Sequence, residues 1–116
     1  MTLLLLSGCH QENDDLFATA VISIGTDEEL TVTHVQAQAQ FTNINTRQVT
    51  TTANFDGTLL RVELLRGPYQ VSIEGVATCQ DATGQTRHRQ FRVHSDFVEC
   101  YQPGVNTATL DITFLD

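Results

Sequence analysis

From Phe17 onward apolar and polar residues alternate with period two, and β-branched side chains are frequent among them. An extended chain points successive side chains to opposite faces, so this period predicts strands and gives little support to helices. The first strand is expected over Phe17 to Ile24, with Ala18, Ala20, Ile22 and Ile24 on one face. The clearest alternation lies in Thr31 to Thr42, where Val35, Ala37, Ala39 and Phe41 interleave with His34, Gln36, Gln38 and Gln40. One face of that strand is apolar and the other amide-rich, which predicts burial on one side only.

Further strands follow over Gln48 to Phe55, Leu59 to Leu65, Tyr69 to Thr78, Thr86 to His94 and Thr107 to Leu115, with Ser95 to Cys100 short and ambiguous. On the third, Val49, Thr51, Ala53 and Phe55 share a face. On the last, Ala108, Leu110, Ile112 and Phe114 point inward. The breaks are chemically apt. Asn43 to Thr46 is a turn of residues that bond their own backbone, and Asp56-Gly57 supplies a glycine for positive φ. Leu59 to Leu65 is expected to pair across Arg66-Gly67-Pro68 with Tyr69 to Thr78, placing Arg61 opposite Glu74. Seven short strands at regular spacing predict an all-β fold, an antiparallel seven-stranded β-sandwich of the prealbumin/transthyretin-like (Ig-like) kind.

The chain has 116 residues, enough for one domain and one core. Its 6 basic residues, all Arg, stand against 14 acidic ones, a net charge of −8, which argues against a protein that tracks nucleic-acid phosphates. Residues 17–116 are assigned to the sandwich. Residues 1–16 are read as a signal remnant followed by a tether. Leu6-Ser7-Gly8-Cys9 resembles the lipobox of bacterial lipoproteins, in which the cysteine thiol receives diacylglycerol. The acidic stretch His10 to Asp15 resembles the surface-export signal of Bacteroidetes lipoproteins. The alternative for Cys9 is an unmodified thiol at a frayed terminus. A full signal carries a basic n-region, and no Arg precedes Arg47, so the native start is expected upstream. On this reading the protein is lipid-anchored at the bacterial outer membrane, surface-exposed or facing the periplasm.

The run from Val35 to Gly75, with its Asn43–Thr46 turn, Asp56-Gly57 and Gly67-Pro68-Tyr69, resembles carboxypeptidase-regulatory-like and Cna-B-like domains. It looks especially like the first domain of Bacteroidetes lipoproteins that accompany TonB-dependent receptors. The resemblance implies a transthyretin-like sandwich that binds, spaces or scaffolds and is not an enzyme. No cofactor is implied. The implied partners are an outer-membrane receptor or an extracellular glycan or protein, met by a monomer.

Four features are weighed as chemistry. Cys79 and Cys100 make the count for one disulfide in an exported chain, worth about 3 kcal/mol, or else two buried thiols. Arg87, His88, Arg89 and Arg92 concentrate positive charge for an anionic ligand or acidic partner, or else are edge-strand charges that block sheet addition. His34, Gln36, Gln38 and Gln40 offer amides suited to carbohydrate hydroxyls, or else a solvated face. His94-Ser95-Asp96 holds the residue types of a hydrolase triad, but neighbours on a strand diverge. His88 and His94 lie about 20 Å apart by strand rise, too far to share a metal.

Overall fold

The computed structural model describes residues 16–26 and 30–115. Cys9 and the acidic stretch that follows it lie outside the described residues. Among the described residues nine strands form: β1 (Phe17–Gly25), β2 (Thr31–Asn43), β3 (Val49–Thr52), β4 (Phe55–Asp56), β5 (Leu59–Leu65), β6 (Gly67–Gln80), β7 (Thr86–Cys100), β8 (Gly104–Asp111) and β9 (Thr113–Phe114). They build two packed sheets, one in the order β4-β5-β1-β8 and the other in the order β3-β2-β6-β7-β9. The all-β sandwich expected from the alternation is present.

The period-two pattern places the core where it was anticipated on β1 and β2. Ala18, Ala20, Ile22 and Ile24 face Val35, Ala39 and Phe41 across the interior. Leu60 and Leu64 of β5, Val71 and Ile73 of β6, and Phe91 and Val93 of β7 complete it. Each Val, Leu, Ile and Phe among these, taken from water, contributes about 1.5–3 kcal/mol before chain entropy is counted.

Several expectations are corrected. Nine strands replace seven: Gln48 to Phe55 divides into β3 and β4, and the ambiguous Ser95 to Cys100 continues β7. The last strand breaks at Ile112, whose N–H bonds Gly25 O while Leu115 N bonds Gln90 O, so the chain crosses from one sheet to the other. The sandwich is not wholly antiparallel, because β1 and β8 run parallel. Val49 faces solvent, since its partner Thr42 lies on the outer side of β2.

The largest correction concerns β5 and β6. They do not form a hairpin: Arg66-Gly67 carries the chain between sheets, β5 pairs with β1, and β6 pairs with β2 and β7. Arg61 therefore lies opposite Val21, and Glu74 meets Arg92 at 3.4 Å. Two apolar strand faces in sequence need not share a sheet. Here each is buried better from its own layer.

β6 is the centre of its sheet, and Gly75 explains how it fits. Gly75 pairs with Ala37 on one side and Phe91 on the other. A Cβ there would collide with the backbone of Gln36 and with Ala37, which cannot retreat. Gly75→Ala is therefore expected to lower stability by about 1–3 kcal/mol through overpacking. Gly25→Ala, where the nearest atom is Thr109 Cγ2 at 3.9 Å, should stay within about 0.5 kcal/mol of the native protein. Urea titrations of the two variants test the contrast.

Candidate functional site

In an antiparallel ladder, directly opposed residues share a face. The outer side of the β2-β6-β7 ladder thus assembles in rows. His34 lies level with Thr78 and His88, Gln36 with Val76 and Gln90, Gln38 with Glu74 and Arg92, and Gln40 with Ser72 and His94. All four residues of the β2 set are exposed. At ordinary strand spacings the platform extends about 10 Å across and about 20 Å along β2.

The arginine-rich arm does not act as one patch, because alternation divides it. His88 and Arg92 join the outer platform, where His88 Nδ1 lies 3.1 Å from Thr78 Oγ1. Arg87 and Arg89 have the inward parity of Phe91 and lie level with the buried Cys79 and Ala77. Arg87 Nε approaches Asp81 Oδ2 at 3.6 Å, and the Arg89 guanidinium stacks 3.9 Å above the Phe114 ring. The exposed Arg92–Glu74 pair is worth a few tenths of a kcal/mol and chiefly balances charge.

At the lower end of β7, Asp96 and Phe97 together oppose Gln70, a β-bulge. His94 Nε2 lies 2.8 Å from Asp96 Oδ1 on that outer side, while Ser95 Oγ donates to Phe97 O. The expected divergence holds for Ser95. His94 and Asp96, two apart, share a face by the same alternation and meet. Among the described residues no three His, Cys, Asp or Glu side chains gather closely enough to hold a metal ion.

The single disulfide is not formed. Cys79 is level with Arg87 and Cys100 with Gly67, twelve residues further back along β6. That separation is on the order of 40 Å by strand rise, far beyond disulfide reach. Both are buried, reduced thiols.

The end of the sandwich where β5 crosses to β6 is tied by Asn43 and Tyr69, partners in the β2–β6 register. Asn43 is buried, and its Oδ1 accepts the N–H groups of Asn45 and Thr46, both at 2.9 Å. Tyr69 donates its hydroxyl to Leu65 O at 2.7 Å and also bonds the Asn43 side chain. Beside them opens a cleft of about 310 Å³, lined by Leu16, Asn43, Asn45, Thr46, Leu65 and Arg66. Arg66 Nε donates to Tyr101 O at 2.7 Å.

Sequence reading found the β2 face but missed its neighbours on β6 and β7. The polar alternates Gln70, Ser72, Glu74 and Thr78 were visible, yet their pairing with β5 was assumed, which hid the platform. At the hairpin tip Asp81 is held below its usual carboxylate range, first by the Thr83 hydroxyl and then by the Gln85 N–H.

No protein-family model matches the chain, and no curated protein matches it. Among solved structures it is similar to a DUF4876 family protein from Bacteroides thetaiotaomicron, with a TM-score of 0.61 and 15% identity. The match covers 84% of this chain and 23% of that one, so the chain spans about a quarter of its neighbour's length. At that identity the likeness shows the fold alone. No described helix is long and apolar enough to cross a membrane.

Burial raises the Tyr69 phenol and the Cys100 thiol above their ordinary values of 10.0 and 9.0. Each keeps its proton longer folded than unfolded. Their stabilisation is therefore complete below about pH 9 and declines as pH rises through the raised values. Urea midpoints measured from pH 7 upward should fall on the alkaline side, and the fall should be smaller in Tyr69→Phe.

Proposed function

We propose that this chain is a non-enzymatic surface module that binds through the outer face of the β2-β6-β7 ladder, as an accessory or scaffold in uptake at a bacterial outer membrane. The observation that carries the reading is the merger of two separate sequence features on that face. The glutamine ladder of β2 and the His88–Arg92 pair of β7 lie on either side of β6 and form one hydrogen-bonding surface. Glu74 offsets Arg92 and Asp96 lies against His94, so the face is close to neutral on a chain of net charge −8. Amides in register present donors and acceptors alternately, which suits a polyhydroxylated neutral ligand better than an ion. Catalysis has no support in this arrangement of side chains, because Ser95 turns away from the His94–Asp96 contact.

The setting rests on three supports: the lipobox-like Leu6 to Cys9, the likeness of Val35 to Gly75 to carboxypeptidase-regulatory-like and Cna-B-like domains, and a structural neighbour from Bacteroides. On this reading Cys9 carries the lipid and the sandwich works outside the membrane as a monomer.

A second reading, a subunit of an adhesin or fimbria-like assembly, is favoured by β8. It forms the edge of its sheet and carries no charged residue before Asp111, so little guards it against strand addition. Light scattering separates the two: the accessory module keeps one mass across concentrations and the assembly subunit grows.

Glycan-array binding tests the favoured reading. The native protein should retain neutral polysaccharides, and the triple variant Gln36→Ala, Gln38→Ala, Gln40→Ala should bind roughly tenfold or more weakly with its fold intact. Binding that survives the triple substitution, or no binding to any neutral glycan, overturns the assignment.

A further inference from the structure

The exposed apolar side chains of the sandwich are not scattered. Nine large hydrophobic residues are exposed among the described residues, and six of them, Leu16, Phe17, Val49, Phe97, Tyr101 and Val105, belong to one end. The register places them there. Phe17 opens β1 opposite Leu65, Val105 lies level with Thr19 near the start of β8, and Val49 begins β3 opposite Thr42. Phe97 is pushed outward by the β7 bulge, and Tyr101 follows β7 where Arg66 bonds its carbonyl. The residues fall on both outer faces and across the tip, forming a collar rather than a patch on one sheet. The three most exposed aromatic side chains, Phe17, Phe97 and Tyr101, are all in it.

We infer that this collar is a lipid-contacting end, the part of the domain that rests in the interfacial layer of a bilayer. Two observations point to a lipid surface. First, the chain enters the fold here: Leu16 precedes β1, and its carbonyl accepts the Arg66 N–H at 2.8 Å. Cys9 lies seven residues before Leu16, so a lipid on its thiol holds this end within about 25 Å of the membrane even with the tether fully extended. The opposite end lies further off by the length of β7, roughly 50 Å for its 15 residues. Second, a ring of aromatic and aliphatic side chains around a tip matches the headgroup boundary, where amphipathic rings partition well.

This inference rests on the lipid-anchored reading of Cys9 for its setting, and it adds an orientation. The amide platform then faces sideways, and its His34–Thr78–His88 row and the Asp81 hairpin tip stand furthest from the bilayer.

The test fixes the anchor chemically, so that its outcome does not depend on native acylation. The full chain is coupled through Cys9 to a maleimide-bearing phospholipid in phosphatidylcholine vesicles, while Cys79 and Cys100 are buried away from the reagent. The chain has no Trp, so single substitutions Phe97→Trp and Tyr101→Trp report on the collar, and Leu59→Trp and Leu115→Trp on other exposed positions. Collar emission should shift to the blue and be quenched roughly twofold by brominated acyl chains, with the other two sites unchanged. Equal quenching at all four sites, or none at the collar, overturns the inference. So does a collar blue shift without vesicles accompanied by a dimer mass in light scattering, which would assign the end to a second copy. Mass spectrometry of Cys9 in protein from its native host reports separately on the anchor.

Discussion

The arrangement of this protein depends on the register of three strands, held from the inside by a glycine. Ala37, Gly75 and Phe91 lie level across β2, β6 and β7, and there is no space at Gly75 for a Cβ. A slip of one residue would turn every side chain of a strand to the other face. It would push Val71 and Ile73 into water and bring Glu74 into the core. The same lock that keeps the core dry therefore aligns Gln38 and Gln40 with the polar alternates of β6 and β7, and Gln36 with Val76 and Gln90. Core packing and surface chemistry are two sides of one ladder.

The two ends of the sandwich are finished differently, and the difference follows from where the chain changes sheets. At one end Val35 N bonds Gly57 O and Ile24 N bonds Thr58 O, while Ile112 and Leu115 link β1 to β7. Backbone bonds thus close the sandwich there on both sides. At the other end the backbone bonds Arg66 N to Leu16 O and Ile44 N to Pro68 O are joined by side-chain ties. Asn43 caps its own turn, Tyr69 reaches back to Leu65, and apolar side chains are left facing outward. Among the described residues, six of the nine exposed large apolar side chains gather at that end.

The local part of this was legible in the chain. The parity of residues 17–24 and 34–42, the turns at Asn43–Thr46 and Asp56-Gly57, and the inward set Ala108, Leu110 and Ile112 all follow from period-two alternation and turn chemistry, which does not mark the bulge between Val32 and His34. What alternation does not encode is which strand neighbours which. Leu59 to Leu65 and Tyr69 to Gln80 are both amphipathic and close in sequence, so a hairpin was the economical reading. The chain instead passes between layers at Arg66-Gly67, which also removes the Arg61–Glu74 pair, while the β6–β7 hairpin sends the two cysteines to opposite ends of one sheet. The parallel β1–β8 contact is non-local in the same way. The candidate site was half legible for that reason: the β2 amides were plain, and their β6 and β7 companions depended on a pairing the pattern does not specify.

Cross-strand nuclear Overhauser contacts test the register directly. The account predicts backbone contacts from Gly75 to both Ala37 and Phe91, with Arg61 in contact with Val21. Contacts joining Glu74 to Arg61, or Gly75 shifted by one residue against either neighbour, would contradict it.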